Sequence, residues 1–170
     1  MSIEQLKTTD RDTLCAYAAK LTPANVPKDD VASRLGEMAN TPKRAEAYLR
    51  SFRVFHDAER GAMFVLRKQE AHPQPTPTRR VEIGEACFTE TGGLTADDLE
   101  AAGLATRDYC EAHDVDAIWF NCDVGVNPNV FEAFDRAFGF TDSKKEVIAP
   151  TYQWAAERVD GRWVVPERRY

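Results

Sequence analysis

The residue types that most often carry catalysis are sparse in this chain and form no familiar arrangement. His56, His72 and His113 fall in a predicted strand, a proline-rich loop and the end of a predicted helix. No serine elbow accompanies them, so the spacing gives no support for a hydrolytic triad. Cys122 ends a predicted buried strand, but no activating partner is evident for its thiol. We therefore interpret Cys122 as a structural residue.

The cysteines also predict neither a metal site nor disulfides. Cys15, Cys87, Cys110 and Cys122 lie in apolar segments, with no CxxC pair and no His/Cys cluster at zinc spacing. Reduced and mostly buried thiols are therefore expected. No run approaches the ~18 apolar residues of a membrane helix, and the N-terminal residues lack the pattern of a signal peptide. These observations predict a cytoplasmic protein.

The length and the net charge indicate the number of domains and the kinds of partner that the chain can bind. The 170 residues are 43% hydrophobic and 29% charged, which predicts one globular domain over 1–170. The net charge is −6, and residues 86–170 hold 8 Lys and Arg against 16 Asp and Glu. This acidic half disfavours general nucleic-acid or membrane-surface binding. A local basic groove remains open as an alternative, and it would be formed by Arg44, Arg50, Arg53, Arg79 and Arg80.

The hydrophobic periodicity predicts an α/β fold, with a mixed β-sheet and helices on both of its faces. The predicted order of elements is β-α-α-β-β-β-α-β-α-β-β. A short strand at Ile3–Leu6 is followed by helical patterns, the last of which opens at Thr41-Pro42. Three strands precede a long helix that is capped at Thr95, and the apolar run Ala117–Cys122 then predicts a strand covered on both faces. A helix over 129–138 ends at Gly139, and two or three strands complete the chain.

This order, together with the segment 117–140, resembles the GCN5-related N-acetyltransferase (GNAT) superfamily. The segment reads AIWFNCDVGVNPNVFEAFDRAFGF, and it is similar to that family's fifth strand, the asparagine after it, the fourth helix and the closing Gly-Phe. The order of elements covers nearly the whole chain, whereas only these ~24 residues have motif character. The resemblance implies a GNAT-like fold and transfer of an acyl group from acetyl-CoA or another acyl-CoA to an amine of a small molecule or protein.

The resemblance also implies where the cofactor binds. Family members carry Arg/Gln-x-x-Gly-x-Gly/Ala before the third helix, where glycine backbone and the helix dipole meet the pyrophosphate. This chain has no basic residue there, and Asp97 and Asp98 occupy the first helical turn. The residues that the resemblance assigns to coenzyme A are Phe88, Thr89, Thr91, Gly92, Gly93, Leu94, Thr95, Asn121 and Asn127.

Acid–base roles follow from the same resemblance. The acyl group would lie between the strands at Glu85–Thr89 and Trp119–Cys122, with Glu85 or Glu82 as general base. Both glutamates alternate with apolar residues, so a wet strand face explains them equally well. Asp135 stands where the family commonly has a tyrosine that protonates the leaving thiolate. A solvent-facing helix residue paired with nearby Arg136 or Lys residues is the alternative.

Two other functional classes stay open. The fold could have lost the chemistry and bind a basic partner protein through its acidic C-terminal half. It could also be a divergent nucleobase- or DNA-modifying transferase with an unusual donor. The aromatic residues Trp119, Phe120, Phe131, Phe134 and Phe138 are expected to pack between sheet and helix. Strands with Trp154, Trp163, Val164 and Val165 are expected to be exposed, which favours a homodimer.

Overall fold

The computed structural model describes residues 3–20, 36–57, 62–69, 81–88, 96–123, 129–141, 146–148 and 151–167. The helices are α1 (Arg11–Lys20), α2 (Pro42–Ser51), α3 (Ala96–Ala112) and α4 (Asn129–Phe138), with a 3-10 turn (Thr8–Asp10) before α1. The strands are β1 (Ile3–Leu6), β2 (Phe52–Asp57), β3 (Ala62–Gln69), β4 (Val81–Phe88), β5 (Ala117–Asp123), β6 (Glu146–Ile148), β7 (Thr151–Val159) and β8 (Arg162–Val164).

Contacts between Cα atoms divide the chain into two compact units, Met1–Arg67 with Glu85–Leu94, and Lys68–Gly84 with Thr95–Tyr170. The predicted element order is confirmed over the described ranges, and the C-terminal strands number three. Residues 36–38 are helical, while the rest of the helix predicted before them lies outside the described residues. The expectation of a single domain stays a prediction.

The first unit is built on three antiparallel strands. β1 pairs with β2, and β2 with β3, so that Val54 stands between Leu6 and Val65. Residues of α1, α2 and these strands share one hydrophobic cluster, in which Leu14 and Val54 are fully buried. α2 begins as the sequence predicts, because Pro42 occupies the first turn and the Arg44 amide donates to Thr41 Oγ1 at 3.3 Å.

The second unit contains a mixed sheet centred on β5. β5 pairs in parallel with β4 on one side and antiparallel with β7 on the other. β6 and β8 then pair with opposite ends of β7. β5 is apolar because both of its faces are covered, as its sequence predicted: Ala117, Ile118 and Phe120 are all buried.

Helices α3 and α4 pack closely against each other in the second unit. A Cβ placed at Gly103 of α3 would lie 2.7 Å from the Cβ of Ala137 in α4, so the contact requires glycine. Arg107 of α3 donates to the Ala137 carbonyl at 2.7 Å, and Arg136 pairs with Glu100 at 2.9 Å. These contacts hold the C-terminal half of α4 on α3.

The end of α4 is a Schellman motif, which confirms the predicted role of Gly139. Its φ is 77°, in the left-handed region that favours glycine. The Phe140 amide donates to the Asp135 carbonyl at 2.8 Å, and the Gly139 amide donates to the Arg136 carbonyl at 3.2 Å. The closing Gly-Phe therefore turns the chain sharply at Phe138.

Candidate functional site

The parallel pair β4 and β5 is the feature that organises the candidate site. Its described register pairs Val81 with Ala117, Glu82 with Ile118 and Ile83 with Trp119. β5 continues for four residues beyond Trp119, and these pair with β7, ending at Asp123 opposite Thr151. Pairing of β4 with β5 is therefore described at the amino-terminal ends of the two strands.

The structure describes only part of the site that the sequence predicts. Glu85 and Phe88 lie in β4, and Asn121 lies in β5 opposite Gln153, with the backbone described for each. The loop residues Thr89, Thr91, Gly92, Gly93, Leu94 and Thr95 lie outside the described residues, as does Asn127. α3 begins at Ala96, and the predicted cap at Thr95 lies outside the described residues.

Asp135 of α4 accepts a hydrogen bond from a tryptophan. Trp154 of β7 donates from Nε1 to Asp135 Oδ1 at 2.9 Å. Asp135 is half-buried, and Trp154 is only 1% exposed. The Arg136 guanidinium reaches Glu100, and the alternative of an Asp135 pair with Arg136 or a nearby lysine stays a prediction. The Asp135 carboxylate links α4 to β7.

An aromatic cluster lies around that link and confirms most of the predicted core. Phe120 stacks on Trp154 with ring centroids 5.3 Å apart, and it meets Phe134 edge-on at 4.8 Å. Phe138 also contacts Trp154, at 5.0 Å. The expectation of an exposed Trp154 is therefore wrong, because the alternation of β7 turns its indole toward α4. Val164 of β8 is 38% exposed, and the homodimer stays a prediction.

Trp119 does not join this cluster, contrary to the expectation from the sequence. It is partly exposed and stands opposite Ala155, whereas the next residue, Phe120, stands opposite Trp154. Successive residues of a strand point to opposite faces, so Trp119 lies on the face away from the aromatic cluster. Its Nε1 is buried, and no acceptor contacts it within the described residues.

Gln153 is a further polar residue that sequence reasoning missed. It is 1% exposed and stands opposite Asn121 in the register of β5 with β7. The alternation of β7 could have revealed it, since Gln153 occupies the same face as Ala155 and the opposite face from Trp154.

The other reactive side chains form no second centre in the described part of the chain. Cys110 is buried and Cys15 is half-buried, and within the described residues neither thiol forms a disulfide. His113 stacks on Tyr109, and its Nδ1 lies 2.9 Å from the Tyr109 carbonyl oxygen. Among the described residues, no group of three or more His, Cys, Asp and Glu side chains is placed to hold a metal ion.

Solved structures share this arrangement over nearly the full chain. A ribosomal-protein-S5-alanine acetyltransferase from Vibrio fischeri aligns over 94% of each chain at a TM-score of 0.57 and 14% identity. A GNAT-family acetyltransferase from Streptococcus pneumoniae aligns over 91% of this chain and 96% of its own, at 0.55 and 12%. The chain has the GNAT fold.

A third structure with this fold contains the cofactor. The aminoglycoside acetyltransferase AAC(6')-Ib in complex with coenzyme A aligns over 92% of this chain and 94% of its own, with a TM-score of 0.52 and 13% identity. No protein-family model and no curated protein matches the sequence. None of the helices described in this protein is long and apolar enough to cross a membrane.

Proposed function

We propose that this GNAT-fold chain transfers an acetyl or other acyl group from acyl-CoA to an amine of a small molecule or protein. The observation that carries the proposal is the parallel pairing of β4 with β5, next to the α3–α4 helix pair, in a fold shared with acetyltransferases. The coenzyme A complex of one such protein supports acyl-CoA as the donor.

The N-terminus of α3 is the proposed site for the pyrophosphate of coenzyme A. A helix of 17 residues starts at Ala96, and the unpaired amides at such an end attract anions. Gly92 and Gly93 precede it, and glycines let the backbone approach a phosphate closely. Asp97 is exposed in the first turn and weakens this potential. We therefore expect coenzyme A to bind at this end of α3 with an affinity that Asp97 lowers.

The remaining roles are assigned around the thioester, which acyl-CoA would supply as the activated acyl group. Backbone amides of Phe88 and Thr89 would hold the pantetheine chain and polarise the thioester carbonyl. Glu85 would accept a proton from the acceptor ammonium, so that the neutral nitrogen attacks the carbonyl carbon. Asn121 and Asn127 are proposed as further cofactor contacts.

Asp135 is the proposed acid that protonates the departing thiolate. Its Oδ1 accepts the Trp154 indole hydrogen at 2.9 Å, so the transferred proton would be carried by Oδ2. That hydrogen bond fixes the carboxyl group relative to β7, which is what positioning of a proton donor requires.

Thermal unfolding with acetyl-CoA and with free CoA tests the donor site first. A ligand at a hundredfold excess over its dissociation constant stabilises the folded state by about 2.7 kcal/mol. For a chain of this length, that corresponds to a rise in Tm of roughly 5–10 °C. If neither compound raises the Tm, the chain is not a CoA-dependent transferase. The alternative of a protein-binding module would then replace the proposal.

Amine acetylation is then measured as release of the CoA thiol. The S5 acetyltransferase and the aminoglycoside acetyltransferase have the same fold, which supports a screen of both peptide N-termini and amino sugars. Turnover with an amine, and none without it, is the expected result. Hydrolysis of acetyl-CoA at an equal rate without any amine would contradict transfer.

A further inference from the structure

The last turn of α4 carries two side chains that contact Trp154. Asp135 Oδ1 accepts the indole hydrogen at 2.9 Å, and the ring centroid of Phe138 lies 5.0 Å from that of the indole. The indole is only 1% exposed, and close-packed interiors transmit small displacements. The orientation of the Asp135 carboxyl group therefore depends on how firmly this turn of α4 is held.

The backbone carbonyls at the end of α4 show what holds the turn. A helix leaves its last four carbonyls without a donor from its own amides. The Schellman motif supplies backbone donors for two of them, because the Phe140 amide donates to Asp135 and the Gly139 amide donates to Arg136. The next carbonyl along the chain belongs to Ala137.

Arg107 of α3 supplies the donor for that carbonyl. Its Nη1 donates to the Ala137 oxygen at 2.7 Å, which is short for a bond of this type. Ala137 is fully buried and the Arg107 side chain is 34% exposed, so water screens the bond only in part. A cation also suits the end of a helix, where the carbonyl dipoles place negative charge. The bond therefore ties the last turn of α4 to α3.

A second polar contact between these helices lies nearer to the solvent. Arg136 pairs with Glu100 at 2.9 Å, and the two side chains are 48% and 40% exposed. Exposed ion pairs contribute little to stability. Of the two contacts, we expect the Arg107 bond to be the one that holds the turn.

We propose that Arg107 is a positioning residue for the acid of the acyl-transfer reaction. By holding the Ala137 carbonyl, it keeps the Asp135 carboxyl group in the orientation that the Trp154 bond defines. Asp135 itself gives its proton to the sulfur of the departing CoA thiolate, and Arg107 touches none of the reacting atoms. This inference rests on the proposed function.

The kinetic test uses R107M, which removes the charge and the donors but keeps an unbranched side chain. Misplacement of a catalytic group lowers turnover, so kcat for amine acetylation should fall roughly tenfold to a hundredfold. The KM for acetyl-CoA should stay nearly unchanged. R136M is the matched control, because it removes an arginine from the same helix pair and leaves the Ala137 carbonyl bonded. Its kcat should stay within about twofold.

A double-mutant cycle with D135N separates positioning from a general loss of structure. Once the acidic proton is gone, no acid remains to be positioned. R107M should therefore lower kcat much less in the D135N background than in the unmodified chain. Additive losses would show that Arg107 acts on turnover by another route and would overturn the inference.

Nitrogen–proton correlation spectra follow the Trp154 bond without any ligand. The indole signal of Trp154 is assigned with W154F. R107M should move this signal to higher field, because a longer hydrogen bond deshields its proton less, whereas R136M should leave it in place. If R107M does not fold, R107Q replaces it in the kinetics, the cycle and the spectra.

Three further results would overturn the inference. They are an unchanged kcat in R107M, an equal loss of kcat in R136M, and a Trp154 signal that R107M does not move. Failure of the proposed function looks different, since acetyl-CoA would then give no thermal shift with the unmodified chain, and the inference would fail with it. An acetyl-CoA shift together with full turnover in R107M would leave acyl transfer standing and remove only the positioning role.

Discussion

Glu82 and Glu85 are the two carboxylates of β4, and Glu85 is the one proposed as general base. Glu82 stands opposite Ile118, whose side chain is fully buried. The two glutamates of the same strand therefore form a matched pair of variants. E85Q should lower kcat for amine acetylation about a hundredfold or more, because general-base catalysis contributes that much.

E82Q is the control for this prediction, and we expect it to change kcat much less. Steady-state kinetics at saturating acetyl-CoA measure both variants, with thermal unfolding as the check on folding. Equal losses of kcat in E82Q and E85Q would show that neither carboxylate is specific to the reaction. A larger loss in E82Q would assign the role of general base to Glu82.

The bond between Asp135 and Trp154 allows structure and catalysis to be separated. D135A leaves the Trp154 indole, which is 1% exposed, without its acceptor. The free energy of unfolding should fall by about 1–3 kcal/mol, which denaturant titration measures. D135N keeps an oxygen for the indole but loses the acidic proton, so it should retain most of the stability and lose kcat at least tenfold.

A double-mutant cycle with W154F isolates this bond. D135A should cost less in the W154F background, because the unpaired indole is already gone. Additive losses would show that the 2.9 Å contact contributes little to folding. Full activity in D135N would assign Asp135 to holding α4 on β7 and would leave the departing thiolate to another acid.

At the scale of elements, the close contact of α3 with α4 depends on glycine at position 103, which has no side chain. G103A gains helix propensity of about 1 kcal/mol. Its Cβ would lie 2.7 Å from the Ala137 Cβ, and such overpacking costs about 1–3 kcal/mol. We expect a net loss in the free energy of unfolding. A137G should be less harmful in the G103A background than alone, whereas a stabilised G103A would show that the helices separate easily.

Two aspartates in the first turn of α3 are predicted to affect stability and CoA affinity in opposite directions. Carboxylates at a helix N-terminus stabilise the helix and compete electrostatically with a bound phosphate. Asp97 is exposed in this turn, and Asp98 follows it. The D97N/D98N double variant should therefore have a lower Tm without ligand and a Kd for CoA that is threefold to tenfold lower, at roughly the strength of two such charges.

Isothermal titration and thermal unfolding together check this prediction. Asp108 lies near the middle of the same helix and is exposed, so D108N is the matched control for removal of a charge. A tighter Kd in D108N as well would show a general effect of net charge. An unchanged Kd in D97N/D98N would place the phosphates away from α3.

Local signals in the sequence predicted the elements well. The predicted helix over 129–138 and its end at Gly139 match the structure, because an amphipathic run and a left-handed glycine act within a few residues. Pairings between distant segments were missed. The Trp154 acceptor comes from a helix 19 residues away, and the different faces of Trp119 and Trp154 depend on the register of β5 with β7. The loop at 91–95 could be interpreted only by resemblance.

At the scale of the whole molecule, the distribution of charge disfavours nucleic acid as the acceptor. The net charge is −6, and 16 of the 28 acidic residues lie in 86–170. The basic groove considered from the sequence is already partly engaged. Arg50 pairs with Glu46, and Arg44 donates to Asn40 Oδ1 at 3.1 Å. The ion pair of Arg50 leaves less positive charge for phosphate groups than the sequence alone indicates, whereas Arg44 keeps its charge because Asn40 is neutral.

We therefore expect the chain to pass through a heparin column and a duplex-DNA column at physiological salt. Binding to a phosphate backbone releases counterions, so retention would weaken steeply as salt is raised. E46Q is the most stringent test of nucleic-acid binding, because it removes the carboxylate that pairs with both Arg11 and Arg50. If even E46Q fails to bind, Arg11 and Arg50 form no nucleic-acid site after their release from Glu46, which counts against the DNA-modifying alternative. Salt-sensitive retention of the unmodified chain that R44A and R50A abolish would reverse this conclusion and make nucleic acid the acceptor to test first.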